Sequence, residues 1–214
     1  MDTIFITGGT GYIGSRIIPL LLQKGYNIKA LTRPDSSNKI PSKCEIIRGD
    51  ALDSDTYKDF VKPSKIFIHL IGVSHPKPSK KNLFRSVDLV SVEEANKAAK
   101  YAGVGHFIYM SVAQKQNRLM QEYQTVRAEG ESLIKSSKIN ASFIRPWYVL
   151  GPGHRWPLFL IPVYKILEII LYTSDTAKKL GLVNINQMLR TILFAVENPP
   201  NSIKVYEVQD IKNF

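Results

Sequence analysis

Cysteine is nearly absent from these 214 residues: Cys44 stands alone. A single thiol closes no internal disulfide and builds no thiolate zinc cluster, and it fits a reducing compartment. His69, His75, His106 and His154 lack metal-ligand spacing with one another or with Cys44. A cationic segment followed by an apolar one is missing from the start of the chain, so the expectation is a cytoplasmic protein that uses no signal peptide. Long apolar runs are missing too. The most lipid-like stretch, Leu158 to Tyr172, is broken by Lys165 and Glu168 and is short for a bilayer. It reads first as a buried or partner-facing helix, against a protein or a second copy of the chain, and second as a membrane-surface helix. The sharp elbow sequence of a serine nucleophile is absent, which argues against Ser–His–Asp hydrolysis.

What the chain does have is a globular composition, 44% apolar, at a length that suits one domain over residues 1–214. The formal net charge is +11, from 29 basic against 18 acidic residues. Such a balance favours anionic ligands. The cations are scattered, with Lys77, Lys80, Lys81 and Arg85 the one dense group. Neither a helix-turn-helix nor an aromatic RNA-binding signature accompanies them, which argues against nucleic acid as a partner.

The stretch that organises the chain is Ile4 to Gly14. A short apolar run breaks into glycines after Thr7, and Ile13 to Leu22 then carry apolar side chains at helical spacing. Strand, glycine turn and helix together form the setting in which Gly8, Gly9, Gly11 and Gly14, with Thr10, Tyr12 and Ile13 between them, read as a dinucleotide cradle. Gly8 or Gly9 turns the chain, Gly11 admits a pyrophosphate to the backbone, and Gly14 lets helix and sheet pack closely. The helix N-terminus offers its N–H groups and positive dipole end to the phosphates.

A second strand, Asn27 to Thr32, ends at Arg33. Dinucleotide folds that select NAD keep an acid here for the ribose hydroxyls. Arg33 brings a permanent cation instead, which suits the 2′-phosphate of NADP (NADPH) over NAD, with Lys39 or Lys43 in support. A third strand, Cys44 to Ile47, leads to Gly49-Asp50-Ala51-Leu52, where Asp50 is placed to meet an adenine amino group beside Ala51 and Leu52. Asp53 reads as the N-cap of a short helix through Val61. Lys65 to Leu70 is a fourth strand, and Ile71-Gly72 ends it at the cofactor face. His69 and His75 flank that end and read as packed or exposed rather than catalytic.

A Pro- and Lys-rich loop follows, then a long helix from about residue 83 to 101 and a fifth strand, His106 to Met110, ending at Ser111. The next helix, about 118–136, sets Tyr123 and Arg127 four residues apart on one face. Ala141 to Ile144 is a sixth strand. The alternation predicts an α/β, doubly wound parallel sheet of Rossmann type. Residues 154–180 read as a small helical substrate lobe, followed by a short strand at 181–184, a helix at 185–197 and a last strand at 203–208.

Several of these residues together resemble a known family. Thr7-Gly8-Gly9-Thr10-Gly11-Tyr12-Ile13-Gly14, Gly49-Asp50, Tyr109-Met110-Ser111 and Tyr123-xxx-Arg127 are similar to motifs of the extended and atypical short-chain dehydrogenases/reductases, including their epimerase/dehydratase-like and NmrA-like branches. The run from Arg145-Pro146 through Trp147 and Val149 to Gly153 resembles the loop that passes the nicotinamide there. The resemblance implies a catalytic group of Tyr123, Arg127 and Ser111, in which the phenol handles a proton at a substrate oxygen. It departs from the family pattern at two places: Arg127 stands in the lysine position, and Asp88 replaces an asparagine. Val112 competes with Ser111 for the serine position. The implied activity is oxidoreduction of a small carbonyl or related substrate. The rivals are epimerase or dehydratase chemistry, and a non-catalytic NAD(P) holder serving as redox sensor or assembly scaffold.

Overall fold

The computed structural model describes residues 2–114, 120–153 and 181–214. Strand β1 (Thr3–Thr7) leads through the glycine turn into helix α1 (Gly14–Gln23), and β2 (Asn27–Thr32) follows. Next come β3 (Glu45–Arg48), a short helix α2 (Lys58–Val61) and β4 (Ile66–His69). Helix α3 (Val90–Ala102), β5 (His106–Met110), α4 (Gln121–Ser136) and β6 (Asn140–Ile144) complete the second half of the alternation. Beyond them lie β7 (Tyr148–Leu150), β8 (Leu182–Asn184), α5 (Ile185–Glu197), β9 (Ile203–Tyr206) and α6 (Val208–Lys212).

Seven strands form one sheet in the order β3-β2-β1-β4-β5-β6-β9, and every pairing is parallel. This is the doubly wound Rossmann arrangement. The register pairs Ile6 with Ile68 and Thr7 with His69. The strand order reverses between β1 and β4, and the crevice above their carboxyl ends is where such sheets bind ligands. β1 and β4 are central and covered on both faces, which is why they are continuously apolar rather than alternating. Ile17, Ile18 and Leu21 of α1 pack with Met188 and Ile192 of α5 on one face. Val92, Ala95 and Ala99 of α3 and Ile134 of α4 cover the other. On that face Phe67 lies 5.1 Å by ring centroid from both Phe5 and Phe107.

Several elements differ from the sequence expectation. The long helix expected at 83–101 opens into wide, π-type turns at Phe84–Leu89 before α3 begins, and this inserts Phe84 and Asp88 into the interior. Tyr148–Leu150, read as loop, is a strand paired in parallel with Leu182–Asn184 in a small second sheet. The final segment ends at Tyr206 and turns into α6 behind a reciprocal Glu207/Asp210 cap. Asp53 caps as expected, its carboxylate accepting from the Asp55 amide at 3.0 Å, but the turn it starts is 3-10 before α2. The helical lobe expected at 154–180 lies outside the described residues. No helix among the described residues is long and apolar enough to cross a membrane.

Candidate active site

The glycine turn is built by close packing. Gly8 takes φ +78°, and a Cβ on it would stand 2.8 Å from the Leu70 carbonyl carbon, so the turn lies directly on the chain leaving β4. A Cβ on Gly14 would run into the Gly8 carbonyl oxygen and stand 2.6 Å from the Gly9 Cα. Gly11 donates its amide to the Gly8 carbonyl at 3.0 Å and is otherwise exposed. The start of α1 has no capping side chain and no acid in its first turn. Arg16, which sequence reasoning missed, fastens this turn to the chain leaving β7. Its Nη1 donates to the Tyr12 carbonyl at 2.8 Å and its Nη2 to the Pro152 carbonyl at 3.4 Å, while its guanidinium lies 4.1 Å from the Tyr12 ring centroid.

The other residues singled out for a cofactor also stand where strands end. Arg33 follows β2, is exposed, and opens the 3-10 turn Pro34–Lys39. Asp50 and Ala51 follow β3, and one Asp50 carboxylate oxygen accepts from the Leu52 amide at 2.9 Å. Leu70, Ile71 and Gly72 follow β4; the Leu70 amide still donates to Thr7 at 3.1 Å. Pro146 follows β6 and accepts from the Ala113 amide at 3.0 Å, while Trp147 and Val149 pack partly buried on the α1 side. Apart from Val149, which lies within β7 of the small second sheet, these residues lie at the carboxyl edge of the sheet, with Arg33 and Asp50 at its β2–β3 end and the glycine turn and Ile71-Gly72 meeting at its middle.

The residues expected to do chemistry have very different surroundings. Tyr123 is half-buried, its ring 5.1 Å from Phe84, and it lines a cavity of about 290 Å³ with Pro78, Lys81, Met120 and Glu122. Arg127 lies one turn along α4 but is only 4% exposed at the side chain. Its guanidinium carbon is 5.3 Å from the Tyr123 ring centroid and 5.8 Å from that of Tyr109. Nη1 donates to the carbonyls of Met110 at 3.0 Å and Ile71 at 3.2 Å, and Nη2 to Asp88 Oδ2 at 3.2 Å. Burial opposes the guanidinium charge, yet Tyr123, Tyr109 and Asp88 around it hold its pKa above the ordinary arginine value. Burial also pushes the Asp88 carboxyl up, against the opposing pull of Arg127 and of the Val73 N–H.

Ser111 turns away from this cluster. It is buried, and its hydroxyl donates to Glu131 Oε1 at 2.7 Å. Glu131 is held by a bidentate grip from Arg145, Nε to Oε1 at 2.8 Å and Nη2 to Oε2 at 2.5 Å, and Arg145 reaches on to Glu207 at 2.6 Å. Sequence reasoning did not single out Glu131 or assign Arg145 a role. The available signal was that Arg145 immediately follows a strand, at the edge where side chains converge.

His69 is fully buried as a neutral imidazole. Burial first, and the Arg127 charge second, depress its pKa to about 3. Its Nδ1 lies 2.8 Å from Thr7 Oγ1 and its Nε2 3.3 Å from Ser91 Oγ, and Ser91 donates to the Asp88 carbonyl at 3.2 Å. The one consistent proton order is Thr7 O–H to Nδ1, Nε2–H to Ser91, and Ser91 O–H to Asp88. A buried polar chain therefore runs from the residue before Gly8 to the Asp88–Arg127 pair.

A model of the family described as NAD dependent epimerase/dehydratase matches residues 4–208. The chain belongs to this family. Curated relatives include the ceramide reductase of Caulobacter vibrioides, 25% identical across 87% of this chain and 65% of its own length. The UDP-glucose 4-epimerase of Vibrio cholerae is 24% identical, across 97% of this chain and 70% of its own length. The chain thus spans about two thirds of the length of these relatives. Among solved structures, the Bordetella bronchiseptica enzyme WbmH in complex with NAD+ superposes with a TM-score of 0.73 at 18% identity, over 97% of this chain and 75% of WbmH. That likeness is one of fold.

Proposed function

We propose that this epimerase/dehydratase-family chain binds an NAD(P) dinucleotide across the β1–β4 crevice, with NADP preferred, and that Tyr123 exchanges a proton with a small carbonyl or related substrate in the adjoining cavity. The carrying observation is the glycine turn packed on Leu70 beneath an uncapped, acid-free helix start. The backbone at Gly11 is open to the approach of a pyrophosphate, since a Cβ there would meet only the Gly8 carbonyl, at 3.2 Å. The NAD+ complex of WbmH and the complex of MoeE5 with UDP-glucuronic acid and NAD support dinucleotide binding, while the preference for NADP rests on Arg33. A nicotinamide bound there would supply the hydride donor or acceptor. Arg33, exposed where β2 ends, would take the 2′-phosphate, and Asp50 and Ala51 the adenine side. Leu70, Ile71, Gly72, Pro146, Trp147 and Val149 would wall the remainder. Tyr123 would hold or release the proton at the substrate oxygen, with the Arg127 guanidinium packed against its ring.

Thermal unfolding with NADPH, with NADH and with neither tests the binding. A nucleotide at ~100 times its dissociation constant should add about 2.7 kcal/mol. Arg33→Asp should reduce the NADPH shift and leave the NADH shift; equal loss of both would refute the 2′-phosphate role. No shift with either nucleotide at saturation would refute the binding.

A second reading, a holder that has lost turnover, is favoured by the engagement of Arg127 with Asp88 and of Ser111 with Glu131. Turnover separates the two, since a holder shows none, and Tyr123→Phe then tests the enzymatic reading. Under the enzymatic reading it lowers NADPH-dependent carbonyl reduction by about 100-fold or more while NADPH affinity stays within about twofold. Turnover that survives the change at full rate assigns the proton to another group.

A further inference from the structure

The chain leaving β4 has lost its sheet partners by Ile71, and yet Ile71, Gly72 and Val73 are each fixed by a side chain from elsewhere. Arg127 takes the Ile71 carbonyl at 3.2 Å, and Asp88 Oδ1 takes the Val73 amide at 2.7 Å. Between them Gly72 lies against the guanidinium, where a Cβ would collide with Nη2. The two side chains are joined to each other at 3.2 Å, and both are buried. The wide turns at Phe84–Leu89 are what bring Asp88 inward to this position. The same guanidinium faces the Tyr123 ring and bonds the Met110 carbonyl at the end of β5.

We propose that Asp88 and Arg127 are positioning residues that act as one clamp, gripping the backbone of residues 71–73 on both sides of Gly72 and so setting the floor of the crevice relative to Tyr123. The assignment rests on the nucleotide-binding reading for what the floor serves, but not for the clamp itself. Asp88 is matched to a pinned guanidinium rather than to solvent, and Arg127 has no exposed donor with which to reach across the crevice. Its guanidinium packs against the Tyr123 ring, and its hydrogen bonds act on the floor. Removing either partner leaves the other buried and unmatched, so the clamp fails as a unit.

Amide hydrogen exchange, read without nucleotide, tests the grip. Val73 should be protected in the wild type. It should exchange about 10- to 100-fold faster in Asp88→Ala, as expected for loss of a charge-assisted bond. Asp88→Asn keeps an acceptor for Val73 and should fall between the two. Phe107 and Ile108 in β5 should keep their protection in both variants, which separates a local release from general loosening. NADPH titration of the same proteins should then show about a tenfold weaker dissociation constant in Asp88→Ala, partly restored in Asp88→Asn. An unprotected Val73 in the wild type overturns the clamp. A freed Val73 with unchanged NADPH affinity overturns its role in shaping the crevice. A wild type that binds neither NADPH nor NADH overturns the proposed function and the role in the crevice with it, while Val73 exchange still decides the clamp.

Discussion

Gly14→Ala is expected to abolish NADPH binding and to lower stability by about 3 kcal/mol. The added methyl would meet main chain on three atoms, the Gly8 carbonyl oxygen and the Cα and carbonyl carbon of Gly9, the last two at 2.6 and 2.7 Å. None of these atoms can rotate away as a side chain does. Relief therefore requires the turn and the start of α1 to separate, which moves the amides that would face a pyrophosphate. Gly103→Ala is the control, because it also replaces a helix-associated glycine but has nothing within 4 Å of the new atom. Its φ of +71° should cost about 1–2 kcal/mol without touching nucleotide affinity. Urea unfolding and NADPH titration of both variants check the pair. A Gly14→Ala protein that bound NADPH within threefold of the wild type would remove the turn from the proposed site.

The same turn is the part of the site most legible in the sequence. Its glycines, the apolar strand before them and the amphipathic helix after them are neighbours along the chain, and their meaning depends on local backbone geometry. The strand–helix alternation that gives the parallel sheet is local in the same way. Arg127 marks where legibility ends. Spacing places it on one helix face with Tyr123, and the ring contact follows. Its burial does not, because that depends on Asp88, 39 residues away, and on carbonyls at the ends of two strands. Asp88 points inward only because the helix carrying it widens, and no periodicity predicts a π-type turn. Ser111 illustrates the same limit: its position at a strand end is readable, but Glu131 as the partner of its hydroxyl is not. The β7–β8 sheet is equally hidden, since each strand has three residues and the pairing spans a stretch outside the described residues.

Lowering the pH from 7 to 4.5 is expected to remove about 5 kcal/mol of stability through two histidines alone. His69 and His106 are both buried, and burial depresses their pKa values from the ordinary 6.5 to about 3 and about 4. Below pH 6.5 the unfolded chain takes up a proton at each site that the folded protein refuses. Stability is therefore complete above about pH 6.5 and falls with pH until the folded-state values are reached. Two pH units of refusal amount to roughly 2–3 kcal/mol per histidine. Asp88 works in the opposite sense, because its raised pKa lets the folded protein gain a proton early. Glu94, whose pKa is lowered by Lys97 and Ser54 despite its burial, adds to the loss. His106→Gln isolates one histidine. Its amide can still meet Ser142, the 2.9 Å partner of Nε2, and it carries no titrating group. Whatever that variant costs at pH 7, its urea-derived stability should fall about 2–3 kcal/mol less than the wild type's on going to pH 4.5. Parallel curves for the two proteins would mean that His106 titrates normally, and that the acid sensitivity of this fold lies elsewhere.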